Sequence, residues 1–153
     1  MQHGLADARS AGAELGRPAF LALETEMFLR SAQCDRALGV LNEALQVAQS
    51  RNELFYQAEL YRLQGELAIR MGATQDRGME SFQRSLECAR AQRSVTFELR
   101  ALTSILSQAD ASQRGTPAAR LAELLPETAA DFVRRDVSEA KKILEEQSKE
   151  GPV

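Results

Sequence analysis

The sequence predicts an all-α chain, a right-handed superhelical stack of antiparallel helical hairpins with about seven to eight helices. Three observations predict it. Strand signals are nearly absent: alternating β-branched runs are missing, and the Ala, Leu, Glu, Gln and Arg content favours helix. One hairpin pattern is written twice, at a spacing of about 41 residues, which marks a stacked-repeat architecture. Ala37, Leu38, Leu41, Ala44, Leu45, Val47 and Ala48 fall on Gly78, Met79, Phe82, Ser85, Leu86, Cys88 and Ala89. In the preceding helix Leu21, Leu23, Thr25, Glu26, Leu29 and Arg30 fall on Tyr61, Leu63, Gly65, Glu66, Ile69 and Arg70. Finally, helix breakers fall where a hairpin array needs them.

Gly16-Arg17-Pro18 separates a first helix, about 3–15, from a second, about 18–32. Asp35 is an N-cap for a third, about 36–50. A fourth, about 53–71, ends at Gly72, the expected C-terminal glycine. Thr74 caps a fifth, about 76–91, and a sixth covers about 95–110. Thr116-Pro117 has the N-cap-then-proline form that opens a seventh, and Pro126 ends or kinks it. Asp136-Val137-Ser138-Glu139 resembles a capping box for a last helix, about 137–148. The array is thus one domain over 1–149: a half-repeat at 3–15, hairpins at about 18–50, 53–91 and 95–134, and a capping helix at 137–148. Residues 150–153 form a disordered tail. Apolar residues recur at three- and four-residue spacing, as in Leu38, Leu41, Leu45 and Ala48. Small residues, among them Ala37, Gly65 and Gly78, stand where helices approach closely. Helical spacing also assigns Phe55, Tyr56, Tyr61, Met27, Phe28 and Met79 to the core.

At 153 residues, 44% hydrophobic and 27% charged, the chain is expected to fold. A net charge of -3, with no basic run longer than Arg134-Arg135 or Lys141-Lys142, argues against nucleic acid. No apolar run approaches a membrane span, and no secretory signal opens the sequence, so a cytoplasmic protein is expected. Cys34 and Cys88 are the only cysteines and read as structural thiols. His3 is the only histidine, no phosphate-binding glycine loop occurs, and no metal-ligand cluster is spaced for zinc. No catalytic residue, cofactor or metal is therefore expected.

Tyr61, Gly65, Gly72, Gly78, Phe82 and Ser85 resemble the small and large positions of a tetratricopeptide repeat. Leu21, Thr25, Phe28, Ala32, Ala37, Leu41 and Ala44 occupy the same places in the first copy. The period exceeds that repeat's usual length of about 34, and its tryptophan and closing proline are absent. Three blocks, Ala58–Leu67, Ser81–Arg90 and Phe97–Ala101, are similar to the C-terminal repeat region of large bacterial signalling ATPases. These include members fused to nucleotide cyclases or LuxR-type DNA-binding domains. Asp136–Leu144 resembles the closing segment of the same proteins. The resemblance implies a repeat region that senses or scaffolds while other domains do the chemistry. MalT-like regulators of this type bind small effectors in their repeats.

Aligned as a tetratricopeptide array, the inner helices turn Ala22, Glu26, Leu29 and Arg30, then Glu59, Arg62, Glu66, Ile69 and Arg70, toward the concave face. The third hairpin adds Glu98, Ala101, Ile105 and Gln108. Glu26, Arg30, Glu59, Arg62, Glu66, Arg70 and Glu98 are the candidate groove residues for an extended peptide or helix. The same charges also suit plain helix support, since Glu26-Arg30, Arg62-Glu66 and Glu66-Arg70 are i,i+4 pairs. The expected function is a protein or peptide interaction module without catalysis; the alternative is an effector-sensing domain of a bacterial transcriptional or signalling regulator. The half-repeat's apolar stripe, Leu5, Ala8, Ala11 and Leu15, is expected to lie on the 18–32 helix, while Ala6, Ala8, Ala11 and Ala13 make a poor polar cap for a solenoid, which predicts a homodimer through an end surface.

Overall fold

The structure is a computed structural model that describes residues 16–125 and 134–149. The described residues form seven α-helices and no strand. They are α1 (Arg17–Arg30), α2 (Cys34–Arg51), α3 (Gln57–Arg70), α4 (Gln75–Ala91), α5 (Val95–Gln108), α6 (Gly115–Leu124) and α7 (Arg134–Lys149). Short 3-10 turns at Leu54–Tyr56 and Ala111–Gln113 precede α3 and α6.

One turn design closes each of the first four helices. Ala32, Asn52, Gly72 and Arg93 have φ of 55°, 55°, 81° and 53°, so a left-handed residue recurs about every 20 positions. Each donates its N–H to the carbonyl three residues back, and the next residue donates five back: Gly72 to Ile69 at 3.0 Å and Ala73 to Ala68 at 2.9 Å. Ala32 and Gln33 repeat this on Leu29 and Phe28, and Arg93 and Ser94 on Arg90 and Ala89. These paired bonds satisfy carbonyls that a helix end leaves open. Gly72 and Asn52 are residue types that tolerate the left-handed region, whereas Ala32 and Arg93 enter it against a steric penalty of about 1 kcal/mol.

Contacts between consecutive helices run in opposite directions. Gln57 meets Cys88, Tyr61 meets Arg84, Gly65 meets Phe82 and Gly78 meets Ile69, so α3 and α4 are antiparallel. Arg17 pairs with Glu43 while Arg36 lies over Phe28, which makes α1 and α2 antiparallel too. The small residues permit this closeness. A Cβ on Gly65 would stand 2.5 Å from Phe82 Cε1 and 2.9 Å from the Gly78 carbonyl oxygen, and one on Gly78 would stand 2.5 Å from Ile69 Cγ1. The first hairpin carries Thr25 and Ala37 at the equivalent places, with the smaller Leu41 where Phe82 stands, so the two copies exchange volume across the seam.

The odd-numbered helices also touch one another in sequence, α1 on α3, α3 on α5 and α5 on α7. Leu60, Leu63 and Leu67 of α3 join Leu21, Leu29, Leu41, Ala44 and Ala48 in one apolar cluster. A second unites Phe82, Leu86, Leu102, Leu106, Leu121 and Leu124, closed by Ala140, Ile143 and Leu144 of α7.

Several expected details are corrected. Asp35 lies in the first turn of α2, which starts at Cys34 after Gln33. Thr74 sits at the N-cap of α4 but its hydroxyl caps nothing. Thr116 and Pro117 lie inside α6, whose N-cap is Arg114, and the capping box belongs instead to Asp110 and Gln113. α7 starts before Asp136, whose carboxylate is drawn sideways to Arg100 rather than into a cap. Phe55 and Met27 are exposed rather than core, while Phe28 and Met79 pack against the clusters. The half-repeat at 3–15, the Pro126 helix end and the 150–153 tail lie outside the described residues.

Candidate functional site

A cleft of about 360 Å³ opens on the layer formed by α1, α3, α5 and α7. Helical periodicity puts its lining there. Glu26 and Arg30 on α1, and Arg62, Glu66 and Arg70 on α3, recur at four-residue steps along one face. α5 adds Arg100, Thr103, Ser104, Ser107 and Gln108, and α7 adds Asp136 and Glu139. Leu29, Ile69, Leu99 and Ile143 supply apolar floor between the charges.

A chain of charges runs through this layer. Glu59, only 3% exposed, accepts from Arg62 Nε at 3.0 Å and Nη2 at 2.7 Å, a two-pronged contact that fits a guanidinium fork. The same carboxylate accepts from Arg100 Nη1 at 3.0 Å. Arg62 Nη1 also donates to Glu66, and Arg100 Nε donates to Asp136 at 2.8 Å. Three helices are thereby joined by alternating signs, Glu66–Arg62–Glu59–Arg100–Asp136. Burial alone would raise the Glu59 pKa, but the two guanidinium groups overcome it and hold the carboxyl below its usual range. For Arg62, burial favours the neutral form, and Glu59 with Glu66 outweighs it, pushing its pKa up. A chain this well satisfied is a structural brace.

Arg70 differs. It is exposed, and its Nη1 donates to the Leu29 carbonyl at 2.7 Å, while no carboxylate of the described residues pairs with it. Among the described residues, Arg30 pairs with Glu26 on its own helix. Glu139 makes no ion pair among the described residues and faces the opposite wall. The end of the cleft around Arg70, Ser104, Ser107 and Gln108 therefore offers donors, and the α7 wall offers acceptors.

Five of the seven candidate groove residues, Glu26, Arg30, Arg62, Glu66 and Arg70, line this cleft. Glu59 does not: it lies at the centre of the brace and borders a second hollow of about 320 Å³ with Leu23, Phe55, Tyr56, Phe97 and Arg100. Glu98 is displaced further. It faces away from the layer and accepts from Arg90 at 3.0 Å and Arg120 at 2.9 Å, tying α4 and α6 to α5. Hydrogen bonds from Arg120, then Arg90, hold its carboxyl below the usual range. Ala101 and Ile105 turn into the apolar core. The structure sets the cleft-facing register of α5 about two residues away from Glu98, Ala101 and Ile105, over half a helical turn, while Gln108 lines the cleft as expected. The signal existed: the 41-residue spacing that joins the first two hairpins also leads from Glu59, Arg62 and Glu66 to Arg100, Thr103 and Ser107.

Tyr61 stays outside the cleft. Its ring lies under the Arg84 guanidinium at 4.4 Å, and its hydroxyl accepts from Arg84 at 3.3 Å and Gln57 at 3.1 Å. Among the described residues no group of three or more His, Cys, Asp or Glu could hold a metal ion, and no helix is long and apolar enough to cross a membrane. Cys34 and Cys88 are free thiols, and burial raises the pKa of Cys88. The chain matches no protein-family model, and comparisons with curated proteins and solved structures found no match either.

Proposed function

We propose that this chain is a tetratricopeptide-like interaction module, a right-handed superhelical stack of hairpins from a cytoplasmic bacterial regulatory protein, that grips an extended segment or helix of a protein partner. The observation that carries the reading is the cleft of about 360 Å³ with charges of both signs over an apolar floor. Alternating charge and aliphatic gaps suit a peptide held by ion pairs and side-chain contacts. Arg70 is the anchor for an acidic group of that partner, since its guanidinium has donors to spare, while Glu139 across the cleft suits a basic one. Arg62 has no such role, because its donors are spent on Glu59 and Glu66.

A library of phage-displayed dodecapeptides tests the reading. The wild-type chain enriches peptides carrying an acidic residue near an aliphatic one, and Arg70→Glu weakens the selected peptides at least tenfold with an unchanged helical spectrum. Equal binding by both proteins, or no enrichment, refutes it. A second reading, a small-effector site of the kind that MalT-like regulators carry, is favoured by the cleft volume, which falls within the range of small-ligand pockets, about 300–1,000 Å³. An anionic metabolite that raises the melting temperature of the wild type but not of Arg70→Glu, with no peptide enriched, selects it.

A further inference from the structure

The cleft and the second hollow adjoin, because Glu26 and Arg100 line both of them. The helices beneath run parallel and in step. Arg70 at the end of α3 reaches the Leu29 carbonyl near the end of α1, and Arg100 in the first half of α5 reaches Glu59 in the first turn of α3. The cleft therefore extends toward the C-terminal ends, with Arg70, and the second hollow toward the N-terminal ends, with Phe55, Tyr56 and Phe97. Glu59 and Arg70 bound this groove on α3, and at 1.5 Å per residue they stand about 16 Å apart along the helix.

The second hollow belongs to the concave face and not to a seam between hairpins. Its α1 residues Ala22 and Glu26 fall, one repeat on, on Arg62 and Glu66, which line the cleft. The seam positions of α1 are Phe20, Leu23 and Met27, whose counterparts Leu60, Leu63 and Leu67 are buried in the first apolar cluster, and of these three only Leu23 borders the hollow. The walls are aromatic. Tyr56 and Phe97 meet edge to face at 5.4 Å, and Phe55, 70% exposed, meets them at 5.6 and 5.9 Å. The charges at the border are matched among the described residues: Glu26 with Arg30, Glu59 with Arg62 and Arg100, Arg100 with Asp136. A charged ligand group would have to displace one of these pairs, whereas an apolar one meets ring surface directly.

We infer that this hollow takes a bulky apolar side chain, aromatic or aliphatic, from the same extended segment whose acidic group Arg70 holds. The inference rests on the peptide-binding reading of the cleft and adds a subsite and a spacing to it. An extended segment advances about 3.3 Å per residue, so a span of about 16 Å sets the apolar residue about five positions from the acid.

The phage-displayed dodecapeptide library, panned on the wild type, Phe55→Ala and Phe20→Ala, tests the subsite. Phe20 is the control, because it is as exposed as Phe55, at 68%, and lines neither hollow. The wild type and Phe20→Ala enrich peptides with an aromatic or aliphatic residue about four to six positions from the acid. Phe55→Ala keeps the preference for the acid, loses the spaced apolar residue, and binds the wild-type peptides at least tenfold more weakly. Enriched peptides that carry the acid without a spaced apolar residue, or equal selection by Phe55→Ala and wild type, overturn the subsite and leave the peptide-binding reading standing. No enrichment on any of the three proteins refutes that reading, and the subsite with it. A thermal melt separates contact with a ligand from cover by the chain itself. Truncating a fully covered phenylalanine lowers the melting temperature by roughly 6 °C or more, and a fall of that size in Phe55→Ala overturns the subsite.

Discussion

Replacing Glu59 by Gln keeps the shape of the side chain and removes the charge at the centre of the brace. The amide retains one acceptor oxygen and turns an NH2 toward a guanidinium that has only donors. Three charge-assisted bonds, at 2.7, 3.0 and 3.0 Å, are lost or weakened. Breaking a buried ion pair costs about 3–5 kcal/mol when a charge is orphaned. Here Arg62 keeps Glu66 and Arg100 keeps Asp136, so the lower end applies, about 3 kcal/mol. For a domain of this size that lowers the melting temperature by roughly 6–12 °C. Urea unfolding followed by circular dichroism measures it, and the pH dependence supplies a second check. The folded pKa of Glu59 is depressed. Its contribution is therefore complete above the unfolded value of about 4.3 and fades as pH falls toward the lower folded value. The gap between wild type and Glu59→Gln should be constant from pH 7 to 5, then close by about 1.4 kcal/mol per pH unit below about 4.3. A loss under 1 kcal/mol at pH 7, or a gap that is the same at pH 7 and pH 3, refutes the brace.

Two glycines inside helices should answer alanine with opposite signs. Gly39→Ala meets nothing within 4 Å and gains about 0.5–1 kcal/mol of helix propensity, whereas Gly65→Ala forces Phe82 and the Gly78 carbonyl away and loses about 1–2 kcal/mol net; thermal melts that move the same way contradict the packing. Ser85 Oγ is buried without a hydrogen-bond partner among the described residues, and the first hairpin has Ala44 there, so Ser85→Ala should stabilise by about 1 kcal/mol in denaturant titration. Ala32→Gly relieves a left-handed alanine and should raise stability by about 1 kcal/mol, with an unchanged or lower midpoint counting against the turn. Cys88, its thiol pKa raised by burial, should react with iodoacetamide at pH 8.5 more slowly than a free cysteine peptide, and equal rates would contradict that burial.

The all-α character, most helix ranges and the doubled hairpin were legible in the chain because each rests on local spacing. Leu41, Ala44 and Ala48 mark a buried face at helical period wherever the partner lies. Five cleft residues followed from the same arithmetic, since Glu26 and Arg30 repeat as Glu66 and Arg70 one hairpin later. What only the tertiary structure decided is how those charges are used. Glu59 and Glu66 differ little as residues on one helix. One is sealed between two guanidinium groups and the other stands at the cleft wall, because Arg100 arrives from α5, 41 positions away. Glu98 faces the other side because it stands two positions before Arg100, the counterpart of Glu59 at the 41-residue spacing, and Ala101 and Ile105 turn into the core. Met27 reads as a core position by its spacing, and the structure leaves it exposed beside Phe20 and Leu23. Periodicity is a property of one helix and survives in one dimension; which helix stands opposite, and whether any does, is a property of the assembled chain.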